Sequence, residues 1–257
     1  MNPAARLHRI YDQLAGQTHD RHMVQTWADV FDIDQRSPHV EDDVTSCLMA
    51  LRAEIDLTRQ KLGALGVPDE LTSPGFERLR NVAAPGLLNS SWNQQRGNIQ
   101  PPECRKVFEW AAWVLRDETE PDMSSEQMDA LRSELTSLED ALQNTEMSQY
   151  LKDFIQRQVE TIRAALRLYG VQGARPLQDA LQKVAGAYTV ERGRIEQERA
   201  AAPEPAKSVL SRASGFIDRT AKVCDGMSKI GKFGEQAWSL AGTVGPLVLP
   251  YVQRVLG

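Results

Sequence analysis

The chain has 257 residues, and its 30 Lys and Arg against 35 Asp and Glu give a formal net charge of −5. A hydrophobic fraction of 41% and a charged fraction of 25% exclude the collagen-like, wholly disordered and multi-span membrane classes. The mildly acidic balance gives no whole-chain basis for nucleic-acid binding. We therefore expect a globular chain, long enough to bury one large core or two small ones.

The apolar residues recur with helical period from the N-terminus onward, and no run alternates as a strand does. Short helices are predicted at Leu7–Leu14 and Met23–Phe31. A long helix should begin at Ser37-Pro38, because serine caps a helix and proline suits its first turn, and should end at Gly63 or Gly66. The segment from about 68 to 101 is irregular, with one short helix at 76–82. These patterns predict an all-α fold.

A helix opening at Pro101-Pro102 carries two tryptophans, Trp110 and Trp113, beside its main apolar face. Because they widen that face, we expect the helix to be nearly surrounded by protein.

The second half of the body shows the most regular helical pattern. Ser124 and Gln127 have the spacing of a capping box, and leucines follow at intervals of three and four up to a break at Asn144-Thr145. The next helix should end at Gly170, and the last helix of the body should start after Pro176. Short connections between heptad-like helices favour a multi-helix antiparallel bundle over one long coiled coil.

An alanine- and proline-rich stretch at 200–206 interrupts this pattern and predicts a semi-extended linker. We therefore divide the chain into a helical body at 1–199, a linker at 200–206 and a C-terminal tail at 207–257.

The tail differs from the body in charge. Residues 206–257 contain seven basic and three acidic residues, a net charge of +4, whereas residues 1–205 carry −9. Seven of the 17 glycines also lie in the tail, which weakens any helix formed there and makes it depend on a surface to pack against.

The tail also has its own helical stripe, followed by an uncharged run of 18 residues from Gln236 to Gln253. A membrane span needs about 20 apolar residues, and Pro246 and Pro250 interrupt this run, so a single regular span is not predicted. The residues expected to contact a membrane or a partner are Val209, Phe216, Lys222, Val223, Lys229, Ile230, Lys232, Trp238, Leu240, Val244, Leu247 and Leu249.

Two functions are compatible with such a tail. In the first, it binds an anionic membrane and permeabilises it when several copies associate. In the second, the chain is a soluble adaptor or scaffold, and the tail is a helical hairpin that closes the bundle, docks on a protein partner or closes an oligomer. An acidic helical body with a glycine-rich cationic tail resembles the layout of some bacterial toxins and immune effectors that act at membranes.

No sequence motif indicates an enzyme or a cofactor. The chain has no phosphate-binding glycine loop, nucleophile elbow or HExxH motif. His19 and His22 lie three residues apart, but a polar loop explains them better than a metal site does. We expect a protein without catalysis, bound metal or cofactor.

One loop combines an aromatic ring, amides and a guanidinium, which suits a polar ligand or a partner backbone. Its candidate residues are Trp92, Asn93, Gln94 and Arg96. The alternative, which we favour, is that Trp92 anchors the loop in the core while the amides satisfy the loop's own backbone.

Three distant cysteines without metal-site spacing favour a reducing compartment, and the first ten residues contain no apolar run of a secretory signal. Arginine outnumbers lysine 22 to 8, a bias typical of GC-rich bacterial genomes. We expect a bacterial cytoplasmic protein, peripheral at the inner membrane if the tail binds lipid.

Overall fold

The predicted helical periods correspond to helices in the structure, a computed structural model that describes residues 1–120 and 122–227, with side chains up to Cys224. Within these residues the chain forms ten α-helices, two short 3-10 turns and no strand longer than a single bridge between His22 and Ser91. The fold of this part is therefore all-α. The helices are α1 Pro3–Ala15, α2 Met23–Val30, α3 Val40–Ala64, α4 Ser73–Val82, α5 Trp92–Arg96, α6 Pro102–Val114, α7 Ser125–Asn144, α8 Gln149–Gln172, α9 Arg175–Ala201 and α10 Glu204–Met227.

The chain divides into two compact units. Unit 1 comprises Met1–Asp122 together with Arg167–Pro176, and unit 2 comprises Met123–Leu166 and the described residues from Leu177 onward. Helices α8 and α9 therefore belong mainly to unit 2, whereas the corner that joins them belongs to unit 1.

Unit 1 has an aromatic core. Helix α1 packs against α2, α3 and α6, and α4 packs against α3 and α6. Several of its largest side chains are fully buried, and Phe108 contacts both Tyr11 and Phe76 at ring-centroid distances of 5.0 and 5.2 Å. Gly75 allows α4 and α6 to approach, since a Cβ there would lie 2.9 Å from that of Val107.

Unit 2 has a leucine-rich core. Helix α7 begins with the predicted capping box between Ser124 and Gln127, which is confirmed, and ends at the predicted break. Its buried residues are Leu131, Leu135, Leu138 and Leu142, one row along the helix. Helix α10 packs against this helix.

Three local predictions were wrong. Helix α3 begins at Val40, two residues after Pro38, with His39 in the cap position. Helix α8 continues past Gly170 and ends at Gln172, because the residue in the left-handed region that stops it is Gly173, with φ +67°. Trp110 and Trp113 are 37% and 62% exposed, so α6 is not surrounded by protein.

The alanine- and proline-rich segment is mostly helical. Helix α9 continues to Ala201 and α10 begins at Glu204, so the semi-extended conformation that we expected is replaced by a break of two residues. Pro205 lies in the first turn of α10, where its missing N–H has no intrahelical acceptor to lose. The domain boundary that we placed here stays a prediction.

Candidate functional site

The described part of the predicted tail forms α10, and its apolar stripe faces inward. Val209 is 3% exposed and Phe216 is fully buried, as are other residues on the same face. This face and the leucine row of α7 supply buried apolar side chains to the core of unit 2. Val209 and Phe216, two of the twelve residues that we assigned to membrane or partner contact, are thus covered within the chain in this conformation.

Two arginines of α10 bond to α7. The Arg219 guanidinium binds both carboxylate oxygens of Glu134, with Nε donating to Oε2 at 2.8 Å and Nη2 to Oε1. Seven residues earlier, Arg212 Nη2 donates to the hydroxyl of Ser137 at 2.8 Å and to its carbonyl at 3.2 Å. The residue numbers rise along α10 as they fall along α7, so these two helices are antiparallel.

Gly215 gives Arg219 room to reach Glu134. A Cβ on Gly215 would lie 3.3 Å from Arg219 Nη1, tighter than an ordinary van der Waals contact. A glycine inside a helix costs about 1 kcal/mol relative to alanine. Here the absent side chain leaves space for the guanidinium to lie back along the preceding turn.

Asp218 is a titratable residue of α10 whose pKa is displaced. Its carboxylate is half-buried, and Oδ1 has no hydrogen-bond partner within the described part of the chain. Burial raises the pKa of Asp218, and Lys222 opposes this shift only partly. The charged carboxylate therefore weakens the packing of α10 at neutral pH.

The remaining predicted tail residues fall into two groups. Lys222 is exposed and Val223 is half-buried. Outside the described residues lie Lys229, Ile230, Lys232, Trp238, Leu240, Val244, Leu247 and Leu249.

The candidate ligand loop is held by its own chain. Trp92 is fully buried, and its Nε1 donates to the carbonyl of Gln17 at 2.9 Å. Gln94 closes a capping box with Ser91, and the backbone N–H of Asn93 donates to Asp20. The Trp92 ring is therefore not available for stacking on a ligand. A binding role for this loop, including Arg96 in its last helical turn, stays a prediction.

The histidine pair has ordinary polar surroundings. His22 Nδ1 lies 3.1 Å from the carbonyl of Asn89, and His19 lies beside Thr18. Among the described residues, no group of three or more His, Cys, Asp or Glu is placed to hold a metal ion.

Sequence reasoning missed a buried ion network in unit 1. Glu54 is fully buried and accepts from Arg6 Nη2 at 2.6 Å and from Arg175, while Arg6 Nη1 donates to Glu120 at 2.5 Å. Burial opposes the charge of Arg6, but Glu120 and Glu54 raise its pKa overall. The one available sequence indication was Glu54 itself, a carboxylate on the apolar face of α3.

This network fixes the corner between α8 and α9. A Cβ on Gly173 would lie 2.7 Å from Arg6 Nη1 and 2.8 Å from Glu120 Oε2. The corner is held further by the hydrogen bond from Tyr169 to Asp122 and by the ion pair of Arg167 with Asp43. Its charges are matched, which indicates a structural role.

Two tryptophans of α6 that we expected to be covered by protein form an exposed aromatic pair. Trp110 and Trp113 lie on one face of this helix, and the Arg116 guanidinium stacks over the Trp113 ring at 4.3 Å from its centroid. Sequence periodicity places both rings beside the apolar face but gives no information about what covers them.

Together these features define two units that are all-α over the described residues, with α10 packed against α7 in unit 2. No helix among the described residues combines the length and apolar character that a membrane crossing requires. Comparison with protein-family models, curated proteins and solved structures gives no match.

Proposed function

We propose that this chain is a non-enzymatic helical effector of the toxin-like kind found in bacterial, including anti-phage, defence. Its body at 1–199 is an antiparallel bundle, and its tail at 207–257 is a separate functional segment. The tail engages and permeabilises anionic membranes when copies of the chain associate. In this proposal the protein is cytoplasmic and becomes peripheral at the inner membrane.

The observation that carries the proposal is the division of charge along the chain. The tail is +4 beside a body of −9, and the 18 residues from Gln236 to Gln253 carry no charge. A cationic segment next to an apolar one has the composition of an interfacial element, because lysines bind anionic headgroups while apolar side chains enter the acyl boundary.

The test compares binding of the protein to anionic vesicles with its binding to neutral ones. Full-length protein is mixed with vesicles of phosphatidylglycerol and phosphatidylcholine, or of phosphatidylcholine alone, and is assayed by co-sedimentation and by release of an enclosed dye. We expect binding only to the anionic vesicles, and dye release that rises steeply with protein concentration. Absence of binding and release, even for chemically cross-linked oligomers, would defeat the proposal.

A matched pair of variants assigns the binding to the tail. Replacing both Lys229 and Lys232 with glutamine removes two cations from the tail. The control removes Lys106 and Lys183, which are exposed in the body. Each lysine near an anionic surface contributes about 1 kcal/mol, so the tail variant should bind roughly 30-fold more weakly and the control should bind nearly as the parent does.

The adaptor function is the second candidate, and the burial of α10 favours it. A helix whose apolar face already packs against α7 behaves as part of a bundle, and the residues after it would then contact a protein partner or another copy of the chain. Deleting residues 228–257 distinguishes the two functions. The adaptor function predicts that the deletion lowers the sedimentation-equilibrium mass of the oligomer, while neither protein binds vesicles.

A further inference from the structure

Two apolar residues of α10 that the proposed function needs at a membrane are covered within unit 2. Lipid binding by α10 requires its apolar face to insert into the acyl boundary of the membrane. That face already lies in the core of unit 2, where Val209 is 3% exposed and Phe216 is fully buried. One apolar face cannot be buried in the protein core and in lipid at the same time.

Two of the four cations of α10 are bonded to α7 as well. Arg219 is bonded to both oxygens of the Glu134 carboxylate, and Arg212 is bonded to the hydroxyl and carbonyl of Ser137. A carboxylate that receives a guanidinium on two oxygens offers the same kind of recognition as an anionic headgroup. Helix α7 therefore presents to α10 both an apolar surface and an anionic acceptor, the two features of an anionic membrane surface.

We propose that α7 is an autoinhibitory cover for α10, and that membrane binding by this helix requires α10 to separate from α7. This inference rests on the proposed membrane function and specifies its regulation. The membrane and α7 compete for the same face of α10, so the apparent membrane affinity equals the intrinsic affinity multiplied by the fraction of molecules in which the helix is released.

The competition gives a quantitative expectation for single substitutions. An exposed ion pair shifts an equilibrium by up to about fivefold. E134K removes this pair and places a second positive charge beside Arg219, so it should raise anionic-vesicle binding by a few-fold. The matched control is E139K, on the same helix and with the same change of charge. Glu139 pairs with Arg163 of α8 and not with α10, so any increase that both variants share reflects net charge alone.

A reversible covalent link tests the separation directly. Ser137 and Arg212 are both exposed, and their substitution by cysteine places two thiols across the α7–α10 contact. The double variant S137C/R212C is joined by a bismaleimide whose spacer contains a reducible disulfide. Cys47, Cys104 and Cys224 are buried, and the unsubstituted protein treated with the same reagent controls for their modification.

The linked protein should bind phosphatidylglycerol-containing vesicles at least tenfold more weakly than the same protein after the spacer is reduced. If both forms bind and reduction does not change the binding, α7 does not inhibit membrane binding. That result would overturn the inference while leaving the proposed membrane function intact. If the linked, reduced and E134K proteins all fail to bind, the membrane function itself fails and the inference fails with it. If E134K and E139K bind the vesicles equally well, that result would also contradict the autoinhibitory role of α7.

Discussion

The two units place their charged side chains differently. Unit 1 buries an ion network in its core, where the Glu54 carboxylate is fully covered and Arg6 is nearly so. In unit 2 the ion pairs that join helices, such as Arg219 with Glu134, lie at the partly exposed edges of a leucine-rich core. A buried pair fixes one arrangement because losing either partner leaves an uncompensated charge, whereas an exposed pair can be exchanged for water at little cost. Unit 2 is therefore the unit in which a helix is easier to release.

The largest expected effect tests the buried network. Replacing Glu54 with glutamine removes the carboxylate that compensates Arg6 and should lower the free energy of unfolding by roughly 3–5 kcal/mol. Urea denaturation measures this, with Glu134→Gln in unit 2 as the matched control and an expected cost below about 1 kcal/mol. Similar costs for the two variants would remove the distinction between the units.

A smaller loss of stability is expected from a substitution at the corner between α8 and α9. Gly173→Ala places a side chain at a φ of +67° and within 3 Å of Arg6 and Glu120. Backbone strain alone costs about 1 kcal/mol or more, so we expect a loss of roughly 2 kcal/mol in urea denaturation. Gly170→Ala is the control, since a Cβ added there would meet no neighbouring atom within 4 Å and alanine favours the helix. A neutral Gly173→Ala would contradict the account of this corner.

In α9, replacing glycine with alanine is expected to stabilise the protein. Gly186 and Gly193 lie inside this helix, and a Cβ added at either glycine would have no neighbouring atom within 4 Å. Alanine at either position should therefore raise the free energy of unfolding by up to about 1 kcal/mol through helix propensity. Thermal unfolding followed by circular dichroism measures the gain, and a loss at either position would show that the glycine is needed for close packing.

The smallest effect concerns the pH dependence of α10. Burial raises the pKa of Asp218 in the folded chain. At a pH between the unfolded-state and folded-state pKa values, the folded state therefore holds a proton that the unfolded state has released. This group therefore destabilises the fold as the pH rises from about 4 through its folded-state pKa. Asp218→Asn should remove that decline and stabilise the protein at pH 7 by less than about 1 kcal/mol, because solvent screens the charge of a half-buried carboxylate. Denaturation midpoints of the parent and variant that run parallel between pH 4 and 8 would contradict this.

Sequence reasoning predicted the features that depend on neighbours along the chain. The helical period, the Ser124 capping box and the short helix in the irregular segment are local, and the structure contains each of them. It could not predict the pairing of Arg6 with Glu54, because residues 48 positions apart meet only through tertiary packing. The end of α8 shows the same limit, since Gly170 and Gly173 differ in backbone conformation and not in residue type.

The candidate site was predicted only in part for a related reason. The stripe through Val209 and Phe216 was recognised as apolar, and the structure shows what covers it. For Trp110 and Trp113 the same argument failed, because an apolar helical face indicates a preference for burial without naming a neighbour. The contact between α10 and α7 needed the structure, since Glu134 and Arg219 lie 85 positions apart.

The most direct test of the central claim is hydrogen exchange of α10 in the presence of membranes. Full-length protein is exchanged alone, with phosphatidylcholine vesicles and with phosphatidylglycerol-containing vesicles, and peptides covering 125–144 and 204–224 are followed by mass spectrometry. The account predicts that anionic vesicles alone deprotect the 125–144 peptide as α10 leaves α7. If the protein binds vesicles but its 125–144 and 204–224 peptides exchange as they do in the free protein, the result would contradict the release of α10 from α7.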